Sequence, residues 1–282
     1  MTTAQLGFTG MPARLFACTP SRLTTWFDCP RRYRFVYVDR PSPSKGAPWA
    51  HNSVGAAVHS ALAGWFALPV PRRTPEAAAG LLRQKWIPLG FRDDAQSDQW
   101  QERAASMVAR YVAGLDPHVE PVGIERVVAV RTGRLALSGR IDRLDRRGDE
   151  LVVVDYKTGR HVLSADDARG SLALAVYATA AARTLHRDCV TVELHHLPTE
   201  SVVTWRHSAE SLERHLVRAE EIAADAVAAE SSGDPQAFPA NAGPQCGWCD
   251  FLAHCPEGRA ATAPRPSWSG LAEELAPTDD LD

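Results

Sequence analysis

Residues 138–160 read SGRIDRLDRRGDELVVVDYKTGR, and little other than a β-hairpin suits them. An alternating arm runs into Arg147-Gly148, and the run Leu151-Val152-Val153-Val154 leads away from it. Alternating and β-branched residues on either side of a glycine turn mark paired antiparallel strands. The apolar run then ends on Asp155-Tyr156-Lys157. Ionised groups interrupting a buried strand are costly unless they are paired or bind a metal. Side chains alternate with period two, so the length of the loop decides where these charges fall. A two-residue turn at Arg147-Gly148 faces Asp142 to Val153, on one side with Asp155 and Lys157. A four-residue loop sets Asp142 directly against Asp155, and a three-residue loop splits them between faces. Two of these registers gather two carboxylates and an ammonium, as a strand-end salt bridge or as a site for a hard cation such as Mg²⁺ or Mn²⁺. Ile141, Val152 and Val154 are expected on the opposite face, as core.

The rest of the chain alternates helical and strand periodicities. Residues 21–28 read as a short helix capped by Ser21, and Pro30 suits the first turn of the next. Val54, Val58, Leu62, Trp65 and Phe66 recur at helical spacing. Helices are expected over 75–86 and 97–115, then a three-stranded meander over 123–157. A helix over 168–186, strands over 190–197 and 201–207, and a helix from a Ser208 cap to about 230 follow. Residues 231–259 are loop-like, and residues 260–282, rich in Pro, Ala and acid, are expected to be disordered.

The N-terminus lacks a basic stretch followed by an apolar core, so the chain reads as cytoplasmic, with reduced thiols. Six cysteines then point to a metal site or to core packing. Cys246, Cys249 and Cys255 form C-x₂-C-x₅-C, and three thiolates need a fourth ligand. His254, Cys18, Cys189 and Cys29 could each supply it.

Asp142 followed by Asp155-Tyr156-Lys157-Thr158-Gly159 resembles the signature of the PD-(D/E)XK nuclease superfamily. The fuller pattern is similar to its RecB-like branch, which includes AddB nuclease domains and CRISPR-associated nucleases. In that branch a helix carries a metal-binding histidine as G-x-x-x-H, here Gly55 to His59. The resemblance implies an α/β (α+β) restriction-endonuclease-like core, a mostly antiparallel central sheet flanked by helices. It implies His59, Asp142, Asp155 and the Tyr156 backbone carbonyl as ligands of Mg²⁺ or Mn²⁺, with Asp142, Asp155 and Lys157 catalytic. Lys157 would orient or deprotonate the attacking water. Members with an iron–sulfur cluster place one cysteine before the core, in a Cys-Pro context, and three after it. That implies a [4Fe–4S] cluster on Cys29, Cys246, Cys249 and Cys255, with Zn²⁺ as the alternative, clasping the two ends of the chain. Arg31, Arg32 and Arg34 beside the clasp, and Tyr177, are then expected to contact DNA. One departure stands out: the glutamine usual four residues before that tyrosine is Ala173.

The implied function is a metal-dependent DNA nuclease, an exonuclease of recombination or repair. The alternative is a weak or inactive DNA-binding scaffold with the same fold and cluster. The expected partner is DNA. No Walker A motif is present, so a helicase or other repair factor would be a separate protein. No apolar stretch is long enough to span a membrane. The net charge of −3 does not exclude nucleic acid, because five acids and no Lys or Arg follow Ser267. The expected organisation is an N-terminal helical segment over 1–50 and a nuclease core over 51–230, with a helical insertion at about 70–118. A cluster-binding segment over 231–259 and the tail over 260–282 complete it.

Overall fold

The computed structural model describes residues 15–271. A three-residue strand, β1 (Phe16–Cys18), is too short to leave a periodicity in the sequence. Helix α1 (Pro20–Asp28) starts two residues earlier than a Ser21 cap would place it. Thr19 takes the Arg22 N–H on its side chain, and Pro20 needs no partner in the first turn. Helix α2 (Pro30–Tyr33) runs on into one π-type turn, Arg34–Val38. Helices α3 (Ala50–Phe66), α4 (Pro75–Gln84) and α5 (Asp94–Ala113) come next, the last two capped by Thr74 and Asp93. The meander is β2 (Gly123–Arg131), β3 (Leu135–Arg147) and β4 (Glu150–Lys157).

The helix expected over 168–186 is two, α6 (Ala165–Gly170) and α7 (Leu172–Leu185). Ser171 takes extended backbone between them and caps α7 by accepting the Leu174 N–H. Strands β5 (Thr191–His196) and β6 (Ser201–Arg206), helix α8 (Ala209–Ser232) behind its Ser208 cap, and the short α9 (Pro256–Ala261) complete the described chain.

The six strands form one mixed sheet flanked by helices, the restriction-endonuclease-like arrangement. β3 pairs antiparallel with β2 and β4, and β5 with β6; β1–β3 and β4–β5 are parallel. β2 takes one edge of β3, so β1 and β4 must share the other. β1 lies against Leu135 to Leu137 and β4 against Arg143 to Arg147. Between them, positions 138–142 of β3 have no strand partner on that edge.

The β3–β4 register runs from Arg143↔Val154 to Arg147↔Glu150, which brings Asp142 opposite Asp155. A loop of two residues achieves this, because it is Gly148-Asp149 and not Arg147-Gly148; the register is the one weighed for a four-residue loop. Gly148 sits at φ 63, the left-handed value a type II′ hairpin asks of its first loop residue.

Two cores sandwich the sheet. One joins Val128, Val130, Leu135, Leu137, Leu151 and Val153 to α7 and α8. The other joins Val152, Val154 and Tyr156 to α3, α4 and α5. Ile141, expected beside Val152 and Val154, belongs to the first core, as does Leu144. An odd and an even position of one strand therefore face the same way, so β3 changes face between them, with Asp142 at the change. The expected disordered tail is packed as far as it is described. Ser267 accepts the Ala50 N–H on its carbonyl and donates its hydroxyl to the Gly90 carbonyl, and Leu271 is buried beside α3. Residues 272–282 lie outside the described chain.

Candidate active site

Three carboxylates line up across three strands. The β2–β3 register, Ile124↔Arg143 and Arg126↔Ile141, puts Glu125 level with Asp142, and the β3–β4 register puts Asp155 level with it on the other side. No main-chain ladder pair bridges this row. Glu125 holds a left-handed φ of 47, rare for a side chain other than glycine, asparagine or aspartate. Asp142 Oδ2 instead accepts the Tyr156 N–H at 2.9 Å. Side-chain bonding thus replaces the ladder where β3 changes face, and it turns the carboxylates towards α3.

Helix α3 brings His59 against the row. Its Nδ1 lies 3.2 Å from Asp142 Oδ1 and its Nε2 3.1 Å from the Tyr156 carbonyl. A neutral imidazole has one N–H and cannot donate to both acceptors; the doubly protonated ring can. Burial disfavours that cation, but the hydrogen bond to Asp142 and the charges of Asp142, Asp155 and Glu125 outweigh it and raise the His59 pKa. Gly55 lies at the strand end, where a Cβ would make an ordinary contact with Thr158 Oγ1 at 3.4 Å.

Burial raises the pKa of Asp155 and Asp142 adds to it, while Lys157 Nζ, 2.5 Å from Asp155 Oδ2, opposes both. Glu125 is likewise raised, by burial first, against the pull of Arg140, which pairs with it at 2.7 Å. Ligand atoms of His59, Glu125 and Asp142 all lie within 4.8 Å of one another, the one such group among the described residues. One imidazole among carboxylates, with Asp155 beside them, suits a hard or borderline divalent cation. His59 and Glu125 line a cleft of about 690 Å³ together with Ser60, Lys85 and Arg140.

Five residues expected from sequence therefore meet in one place: His59, Asp142, Asp155, Tyr156 and Lys157. Glu125 was missed. The hairpin around Thr132-Gly133 could have found it, since folding there sets Glu125 level with Asp142. Tyr177 stands on α7 over Gly139; a Cβ on that glycine would fall 2.2 Å from the tyrosine ring. Burial raises its pKa, and the negative charges of Asp155 and Asp142 raise it further, so the phenol lies within electrostatic reach of the row.

The arginines beside Cys29 are arranged differently from the expected open basic patch. Arg31 donates to the Phe238 carbonyl and pairs with Glu257 at 3.5 Å, and Arg34 pairs with Asp39 at 2.9 Å. The positive charge of Arg32 acts on the Cys249 thiol, as does Cys29, and the Arg32 Nε is buried without a hydrogen-bond partner. The chain ends do meet here: Arg31 N–H donates to the Pro239 carbonyl, Asn241 donates to the Asp28 carbonyl, and Phe35 packs on Phe251 and Cys255. Gly258 touches both Cys255 and Cys246. The four sulfurs do not make a group within 4.8 Å. Thiolates on one tetrahedral Zn²⁺ would lie about 3.8 Å apart, given a Zn–S bond of about 2.3 Å; thiolates on four separate irons stand wider.

No helix among the described residues is long and apolar enough to cross a membrane. No curated protein matches the sequence. Among solved structures, the chain is similar to the "Putative exonuclease" of Eubacterium rectale, with a TM-score of 0.53 at 11% identity over 94% of this chain and 95% of that one. A second, SSO0001, aligns over 88% of this chain and 90% of its own at 12% identity, with a TM-score of 0.41, too low to carry weight. The sequence model of the PD-(D/E)XK nuclease superfamily matches residues 17–256, the span that holds the carboxylate row, His59 and Lys157. The chain belongs to the PD-(D/E)XK nuclease superfamily.

Proposed function

We propose that the protein is a divalent-metal-dependent deoxyribonuclease of the RecB-like type, acting as an exonuclease in DNA recombination or repair. One observation carries this reading: Asp142, Asp155, His59 and Lys157 converge where β3 changes face, beside a cleft that His59 and Glu125 line. His59, Glu125, Asp142, Asp155 and the Tyr156 carbonyl would hold Mg²⁺ or Mn²⁺. A cation bound there would lower the pKa of a water and offset charge on the scissile phosphate. Lys157, reaching beyond Asp155, is placed to orient that water or to neutralise charge developing on the phosphate oxygens. Arg140 and Lys85 line the cleft and offer cations to the DNA backbone. The cysteines would form a second, structural group: Cys29, Cys246, Cys249 and Cys255 would hold a [4Fe–4S] cluster, with Zn²⁺ as the alternative, and the packing of Phe35 on Phe251 and Cys255 supports it by joining the two segments. Anaerobic iron content and visible absorbance test that assignment.

Ala173 favours a second reading. It stands one turn before Tyr177 on α7 and offers no hydrogen-bonding group, so the protein would bind DNA and cut it poorly. End-labelled single- and double-stranded DNA with Mg²⁺ or Mn²⁺ separates the two. Metal-dependent shortening of the strands is expected, with a loss of at least about a hundredfold in Asp155→Ala at unchanged melting temperature. Full activity in that variant would remove the active-site assignment, and binding without cleavage by the parent would favour the scaffold.

A further inference from the structure

Directly behind the carboxylate row, on the α3–α5 side of the sheet, lies a set of buried charges that the reaction does not touch. Arg143, Asp145, Glu193 and His195 are each at most 6% exposed, and Tyr156 and Tyr111 at most 9%. Arg143 Nη1 donates to Tyr111 Oη at 3.1 Å and to Tyr156 Oη at 3.4 Å, and Arg143 Nε faces Asp145 at 3.0 Å. Tyr111 Oη lies 2.8 Å from His195 Nδ1, and His195 Nε2 lies 3.0 Å from Glu193. With the Nε2–H tautomer of His195, donors run one way, from Arg143 through Tyr111 and His195 to Glu193. Arg147 closes the circuit, bonding Glu193 through both terminal nitrogens at 2.5 and 2.7 Å and reaching Asp145 at 3.7 Å.

Such a network is a poor way to gain stability, because desolvating the ions consumes most of what their pairing returns, and apolar packing does as well. What it does supply is a fixed arrangement, and its members sit at two telling positions. Arg143 follows Asp142 in the chain. Tyr156 carries the carbonyl that His59 touches, and its ring meets the His59 ring edge-on at 5.8 Å. Arg143 makes the last β3–β4 ladder pair, with Val154, and Asp142 and Tyr156 lie just past it, so no β3–β4 pair ties Asp142 to Tyr156 and side chains share in setting the angle between them.

We propose that Arg143 and Tyr111 are positioning residues: through the Tyr156 ring and the β3 backbone, the buried network fixes His59, Asp142 and the Tyr156 carbonyl in metal-binding geometry. The inference rests on the metal site proposed above. Mn²⁺ binding, followed by electron paramagnetic resonance and independent of cleavage, tests it in five proteins: the parent, Tyr111→Phe, Arg143→Lys, Asp142→Ala, and Leu82→Ala. The last, on α4 in the core shared with Tyr111 and Tyr156, is a control for lost packing that removes no polar group. Tyr111→Phe removes one oxygen, and Arg143→Lys keeps the charge but loses the fork that reaches both tyrosines. Each is expected to weaken Mn²⁺ binding about tenfold or more, while Leu82→Ala lowers the melting temperature and leaves affinity alone. Parental affinity in folded Tyr111→Phe and Arg143→Lys overturns the proposal, as does an equal loss in Leu82→Ala. Undiminished binding in Asp142→Ala would instead remove the metal site, and this inference with it.

Discussion

At the scale of single residues, the site depends on close approaches that a sequence states only in part. Gly139 is one. Alanine there would drive its Cβ into the Tyr177 ring, 2.2 Å from Cε1. Gly139→Ala is expected to cost about 1–3 kcal/mol, in the range of overpacked sites. Removing the ring as well should cancel the clash, so Gly139→Ala with Tyr177→Ala should lose no more than Tyr177→Ala alone; urea midpoints of the three variants decide it. His59, Asp142, Asp155 and Lys157 were legible because their chemistry is tied to local spacing on a helix and a hairpin. Glu125 was hidden because its role comes from register across a second turn and from a left-handed φ that only the folded strand imposes. The pairing of Arg31 and Arg34 was hidden for a related reason: a run of charges shows that cations are near, and only the fold shows Glu257 and Asp39 beside them.

At the scale of elements, helix starts and the meander followed from caps, prolines and alternation. The face change in β3 did not, because Ile141 and Leu144 are both apolar and either face could have taken them. The break at Ser171 was passed over because apolar helical spacing runs on either side of it, although Gly170 disfavours helix and a serine can cap one. The junction of β6 and α8 gives an element-scale prediction. His207 is 3% exposed, its Nε2 has no hydrogen-bond partner, and burial, with the nearby His215 adding to it, pushes its pKa down to about 4. The folded protein thus keeps this ring neutral in a range where the unfolded chain, at an ordinary histidine pKa of about 6.5, is protonated. Protons then favour unfolding, so stability should fall as pH drops from about 6.5 to 4. Melting curves across that window should show a shallower decline in His207→Phe; an identical slope would exclude His207 as a cause. Glu193 acts lower. Burial works against its charge, but hydrogen bonds from His195 and Arg147 hold its pKa at about 2, so its contribution is lost only as pH falls from the ordinary glutamate range towards that value.

At the scale of the whole molecule, both ends of the described chain close onto the middle and onto each other. If the four cysteines hold one cluster, Cys29→Ala and Cys249→Ala should behave alike despite their distance in sequence. Each should lose iron and visible absorbance and melt earlier, because metal binding energy is folding energy when the unfolded chain has no site. Cys18→Ala and Cys189→Ala, each removing a buried thiol from the sheet core, should keep the iron. Retained iron in Cys29→Ala alone would move the fourth ligand elsewhere. The short strand β1 has a consequence in time. Phe16 leaves the ribosome well before its parallel partner Leu135, which is more than a hundred residues behind. At about 5–20 residues per second, β1 stays without its partner for on the order of ten seconds. The segment with Cys29 waits longer still, until Cys255 has emerged. Segments made early are thus placed late, and a nascent chain that stalls before Cys255 would keep the Cys29 segment undocked from its partner.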